Sequence, residues 1–147
     1  MSLQKEQSAF HLSHSWPARF DYLDEIRTFV GQAAERAGFS DRSIYAVQMA
    51  TDEACSNIIE HAYRGQPGTI EMQIDWDGKA LTIILKDTGH PFEIEKVTKP
   101  DINAPLSRRK VGGLGIYLMQ RLMDRVQYTP SNGINTLTLI KHRDKDT

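Results

Sequence analysis

Residues 49–63 read MATDEACSNIIEHAY. Glu53, Asn57 and His61 recur at every fourth position, which on a helix sets them along one side, stepping slightly in angle. Ala50, Ala54, Ile58 and Ala62 each follow one position behind, an apolar row suited to a core. A helix built only to pack has no use for a carboxylate, an amide and an imidazole beside its buried face. The stretch therefore predicts a helix that both packs and borders a site.

The flanking sequence supplies partners for that helix. Upstream, Ala9–Trp16 alternates through Phe10 and Leu12, and less cleanly through His14 and Trp16, as a strand does. Pro17 is suited to the first turn of a helix. Phe20, Leu23, Ile26, Phe29, Val30 and Ala33 then follow at helical spacing, and Gly38 is placed to stop that helix. Ser40 or Asp41 can cap the next one, which carries Ile44, Val47, Ala50, Ala54 and Ile58 inward and ends near Arg64–Gly65. Downstream, Ile70, Met72, Ile74 and Trp76 alternate, Asp77–Gly78 turns the chain, and Leu81, Ile83 and Leu85 alternate again. Residues 88–111 show no period and read as a long loop of the kind that is often functional. A helix is expected over Gly113–Asp124, with Leu114, Tyr117, Leu118, Arg121 and Leu122 near one stripe. A second hairpin closes the pattern around Ser131–Asn132–Gly133. Alternating strands want one covered face, so the order predicts an α+β fold with helices on one face of a mixed, mainly antiparallel sheet.

The totals are consistent with this. The 147 residues suit a single domain over residues 1–147, long enough to bury a core. The formal charge of -1 carries no broad basic field, so direct nucleic-acid binding is not expected. Arg108, Arg109 and Lys110 form a local basic cluster. One cysteine, Cys55, cannot staple its own chain and reads as a small buried hydrophobe. No apolar run approaches membrane-spanning length and the first residues are polar, so a cytoplasmic protein is expected. The five histidines are scattered and form no metal set.

Chemistry concentrates in three places. Glu53 and Asn57 lie one turn apart: the carboxylate can accept a proton, and the neutral amide oxygen suits Mg²⁺. Alone, this spacing is common on solvated helix faces. In "LKDTGHPF", Asp87 ends a strand and can accept from an exocyclic amine such as that of adenine, and Gly89 permits a turn or a close approach. Alone, it is an ordinary strand-end turn. In "KVGGLGIYLMQRLMD", Gly112, Gly113 and Gly115 open a helix whose backbone N–H groups can meet an anion. The cluster matches neither the P-loop nor the Rossmann fingerprint.

In that order, the three motifs resemble the N, G1 and G2 boxes of the GHKL ATP-binding superfamily, which includes DNA gyrase, histidine kinases and MutL. "DEACSNIIEHAY" and "GGLGIYLMQRLMD" look most like the small anti-sigma factor serine/threonine kinases, and the resemblance runs from about Phe10 to Lys141. It implies the two-layer α/β sandwich of the Bergerat type, with ATP and Mg²⁺ as cofactors. It makes Glu53 the catalytic base and Asn57 the Mg²⁺ ligand. Asp87 and Gly89 would bind the adenine end, while Gly113, Leu114, Gly115 and Ile116 would line the phosphates. Residues from about 88 to 112 would form the ATP lid. The implied function is an anti-sigma factor that phosphorylates its antagonist, a STAS-type protein, on Ser or Thr and sequesters a sigma factor. The family commonly works as a homodimer.

Two departures stand out. Pro91 replaces the last glycine of the usual G1 pattern, fixing φ and removing a donor. In "GINTLTLIK", Asn135, Thr136 and Thr138 stand where the family often has Gly-Thr, and the sequence leaves open which of them, if any, reaches the adenine. Two alternatives remain: a non-catalytic ATP-gated binding module, and the detached catalytic domain of a two-component histidine kinase.

Overall fold

The computed structural model describes residues 8–92 and 113–144, with only the helical backbone for Gly113–Gly115. The Arg108–Lys110 cluster, Gly112 and most of the expected lid lie outside them. In chain order the elements are β1 (Phe10–Pro17), α1 (Leu23–Arg36), α2 (Asp41–Asn57), β2 (Thr69–Trp76), β3 (Ala80–Asp87), α3 (Gly113–Leu122), β4 (Arg125–Ser131) and β5 (Ile134–His142). A 3₁₀ turn at Phe20–Tyr22 precedes α1, and a π-turn at Ile58–Ala62 prolongs α2.

The five strands form one sheet in the order β1-β2-β3-β5-β4. Every pairing is antiparallel. The mixed sheet expected from the pattern therefore has no parallel pair among the described residues. Period-two alternation holds through β2 and β3: Ile70, Met72, Ile74, Trp76, Leu81, Ile83 and Leu85 are all buried. The register aligns Met72, Leu85, Leu137 and Tyr128 across four strands. The helices bury the same face, with Ile26 and Val30 from α1, Val47, Ala50 and Ala54 from α2, and Ile116 and Met119 from α3 in a common core. Each large side chain taken from water there contributes about 1.5–3 kcal/mol.

Local chemistry sets the ends. Ser40 caps α2, its hydroxyl accepting from the Ser43 N–H at 3.2 Å. The Asp77 carboxylate accepts from the N–H groups of Lys79 and Ala80, at 2.7 and 2.8 Å, and closes the β2–β3 turn. Asn132 and Gly133 both have positive φ, 55° and 81°, the two-residue turn that matches strand twist. Ser131 belongs to β4, not to the turn.

Three expectations are corrected. Pro17 does not open a helix; it ends β1, paired with Thr69 on the sheet edge where a missing donor is tolerated. Phe20 consequently sits in the 3₁₀ turn, 50% exposed, rather than on the buried stripe of α1. On α3 the residues that reach the core are Ile116 and Met119, with Met123 just beyond the helix end. Tyr117, Leu118 and Leu122 are half-buried and Arg121 is exposed. The helix stops at Leu122 because Asp124 is already bonded to β5, its N–H donating to the Ile140 carbonyl.

Candidate nucleotide-binding site

The alternation that turns Leu81, Ile83 and Leu85 inward puts Asp87 on the same side, at the end of β3. It is buried, 6% exposed, and stands opposite Asn135 of β5. The Asn135 side-chain amide donates to Asp87 Oδ1 at 2.8 Å and to the Gly89 carbonyl at 3.0 Å. The Gly89 N–H donates to the same carboxylate oxygen at 2.9 Å. Burial pushes the Asp87 carboxyl up from its ordinary pKa, and these two donors offset only part of the rise.

The segment leaving β3 is pinned from three sides. The Tyr63 hydroxyl donates to the Thr69 carbonyl at 2.7 Å and accepts from the Thr88 N–H at 3.0 Å. The His90 N–H donates to the Ala62 carbonyl at 2.8 Å. The Phe92 N–H donates to the Tyr128 hydroxyl at 2.7 Å. Gly89 lies hard against the π-turn, where an added Cβ would fall 2.4 Å from the Ala62 carbonyl oxygen. The absent side chain thus admits the backbone of the π-turn.

A cleft opens between these elements. Asn57 and His61 enter from α2 and its π-turn, Asp87 and His90 from the end of β3, Ile116 and Met119 from α3, and Tyr128 and Leu137 from the far hairpin. One polar end and an apolar wall suit a ligand with a flat base and a charged tail. Asn57 Nδ2 is buried in the protein without a hydrogen-bond partner. Such an atom costs free energy unless a ligand meets it, and a half-turn of the amide would present Oδ1 instead.

The expected residues are thus brought together unequally. Asn57, Asp87 and Ile116 line the cleft, and Gly89 shapes its edge. Gly113, Leu114 and Gly115 form the first turn of α3, beside it in the chain. Glu53 is half-exposed and stands one turn before Asn57, outside the lining residues. Its pKa is raised, first by burial, then by the charges of Asp52 and Glu60. Cys55 is fully buried and burial pushes its thiol up to about 12, which removes thiolate chemistry at neutral pH. Of Asn135, Thr136 and Thr138, Asn135 is buried and bonds the Asp87 carboxylate, whereas Thr136 and Thr138 are half-buried. The inward phase of Leu137 and Leu139 carried that signal in the sequence. The roles of Tyr63 and Tyr128 had none, because each depends on contacts distant in the chain.

Residues 16–141 match the histidine kinase-like ATPase domain family. The chain belongs to that family. Among curated histidine kinase-like ATPase proteins, it is 34% identical over 125 residues to the serine-protein kinase RsbW of Bacillus cereus, covering 82% of this chain and 78% of the relative. RsbW proteins of Bacillus thuringiensis and Bacillus anthracis match to the same identity and extent. A crystal structure of the RsbU and RsbW domains of a Mycobacterium tuberculosis protein superimposes with a TM-score of 0.65 at 16% identity. That match covers 92% of this chain and 33% of the other, and it shows a shared fold. The GHKL-type α+β architecture expected from the motifs is therefore the observed one. Membership implies ATP as the nucleotide, and the serine-protein kinase relatives support kinase activity. No helix among the described residues is long and apolar enough to cross a membrane.

Proposed function

We propose that this chain is an ATP- and Mg²⁺-dependent protein serine/threonine kinase that acts as an anti-sigma factor, phosphorylating an anti-sigma factor antagonist and sequestering a sigma factor. The observation that supports the reading is the cleft itself, where the Asp87 carboxylate is buried and the Asn57 Nδ2 atom is buried without a hydrogen-bond partner. The 34% identity to serine-protein kinases supports the choice of acceptor.

Asp87 would accept from the adenine amino group, held in place by Asn135. The first turn of α3 would offer its N–H groups and positive end to the phosphates. Mg²⁺ fits the site only as a shared ion. The described residues include no cluster of three acidic, His or Cys side chains, so Asn57 would hold it together with phosphate oxygens and water. The ion would neutralise charge on the transferred group. Glu53 would take the proton of a Ser or Thr hydroxyl as that oxygen attacks the γ-phosphorus. The bond to the β–γ bridging oxygen breaks and ADP leaves. The antagonist is expected to be of the STAS type and the protein to work as a homodimer.

Glu53 lies outside the cleft lining, and this favours one second reading, an ATP-gated binding module without transfer. Incubation with γ-labelled ATP, Mg²⁺ and purified antagonist separates the two. Alkali-labile, acid-stable label on the antagonist, lost in Glu53→Ala with ATP binding kept, supports the kinase. Binding without transfer supports the module. Failure of the intact protein to bind ATP would end both.

A further inference from the structure

Asp87 and Tyr128 line the same cleft from different strands. The register sets Tyr128 of β4 level with Leu137 of β5 and Leu85 of β3, two residues before Asp87. Two strand spacings, about 10 Å, and a step of two residues, about 7 Å, therefore separate their backbones. Both side chains lie on the helix-covered face of the sheet, so the space between them belongs to the cleft. Residues 87–92 span that gap, and the Phe92 N–H ends the span on the Tyr128 hydroxyl at 2.7 Å.

Most polar groups at this end of the cleft are already engaged. The Asn135 amide donates to Asp87 Oδ1 and to the Gly89 carbonyl, and the N–H groups of Gly89, His90 and Phe92 are bonded within the protein. The His90 side chain is exposed at the rim. The Tyr128 hydroxyl differs. It accepts from Phe92, but its own O–H has no acceptor among the described residues. A phenol both accepts and donates, so a half-buried one facing a cleft keeps a donor to satisfy. Burial raises the pKa of this hydroxyl, the Phe92 N–H opposes the rise, and the charge of Asp87 adds to it. The group is thus a protonated donor at neutral pH, within the field of Asp87.

An acceptor at Asp87 and a donor at Tyr128 make a pattern. Adenine is its complement, because its exocyclic amine donates while its ring nitrogens accept. Guanine carries a carbonyl in place of the amine, and that oxygen would meet a carboxylate. We infer that Tyr128 is a second reader of the nucleotide base, its hydroxyl donating to a ring nitrogen of adenine. The bond from Phe92 occupies one side of the oxygen and so restricts where its proton can point. This inference deepens the ATP reading above and rests on it.

The probes are ATP and its 1-deaza, 3-deaza and 7-deaza analogues, each with one ring nitrogen replaced by C–H, which cannot accept. Affinities are measured for the intact chain and for Tyr128→Phe, by calorimetry and, where binding is weak, by ligand-observed NMR. The intact chain is expected to bind at least one analogue about five- to tenfold more weakly than ATP, as the loss of one hydrogen bond predicts. Tyr128→Phe keeps the ring and is expected to bind that same analogue as well as it binds ATP. The variant also frees the Phe92 N–H, which weakens every nucleotide alike, so the readout is the ratio within each protein. Three analogues that all match ATP on the intact chain overturn the inference, as does a penalty that persists undiminished in Tyr128→Phe; ATP binding itself stands in both cases. Complete loss of binding in Tyr128→Phe also overturns it, since one hydrogen bond is not worth so much and the residue would then serve the fold. An intact chain that binds none of the four nucleotides overturns the ATP reading and the inference together.

Discussion

Asp87 is a carboxylate held where burial works against its charge. Its raised pKa has a definite sign in stability. The contribution is fully present below the ordinary Asp pKa, about 3.9, and is lost as pH rises through the higher folded value. At neutral pH the ionised side chain therefore costs the fold stability, and on the proposed reading it is kept there as the acceptor for the nucleotide. Asp87→Asn is expected to be more stable than the parent at pH 7, with the advantage vanishing below about pH 4. Urea midpoints across pH check this, and ATP binding should be lost in the same variant. Asn135→Ala acts in the opposite direction. It removes donors to Asp87 and to the Gly89 carbonyl, leaving buried acceptors less satisfied, and should cost about 1–3 kcal/mol. ATP affinity should fall with it, as titration calorimetry would show.

At the scale of elements, the site depends on how closely the end of β3 approaches the end of α2. Ala62 belongs to a π-turn, a form that recurs at functional sites, and its carbonyl bonds the His90 N–H of the segment beyond β3. Gly89→Ala would drive a Cβ to within 2.4 Å of that carbonyl oxygen, so backbone must move. A loss of about 1–3 kcal/mol is expected, together with loss of ATP binding. Gly78→Ala is a useful contrast, because its cost is confined to a positive φ of 92° with open space around it, and ATP binding should survive. The elements that were legible in the sequence were those with a local period. Both hairpins and α2 announced themselves through alternation, turn residues and a cap. The start of α1 did not, because Pro17 is compatible both with a first helical turn and with an edge strand, and only pairing with Thr69 decides. The buried stripe of α3 shifted to Ile116 and Met119 because packing against α2, not apolarity alone, chooses among several apolar residues. The site motifs were legible as a set, whereas the tyrosine hydroxyls that pin residues 88–92 arise from β4 and from the chain after the π-turn, and no local pattern foretells such contacts.

For the whole molecule, α2 lies at the centre of the helical layer, against α1 on one side and α3 on the other, and Cys55 is buried within it. Its burial and its pKa of about 12 make a reactive thiolate negligible in the folded state. Alkylation at neutral pH therefore requires an opening that releases α2, and releasing α2 disrupts contacts with both other helices at once. Labelling by iodoacetamide should thus follow the open population measured by urea unfolding rather than any faster local motion. On the proposed reading ATP binds only the folded cleft, so at about 100 times its Kd it should stabilise the protein by about 2.7 kcal/mol and slow labelling about a hundredfold. Asp87→Asn should label slowly as well, because it is expected to be stable, yet show no protection by ATP. Mass spectrometry of the alkylated protein over time measures both rates. Rapid labelling of the native parent would mean that the end of α2 opens independently of the core, whereas unprotected labelling under saturating ATP would mean that nucleotide binding and the stability of α2 are uncoupled.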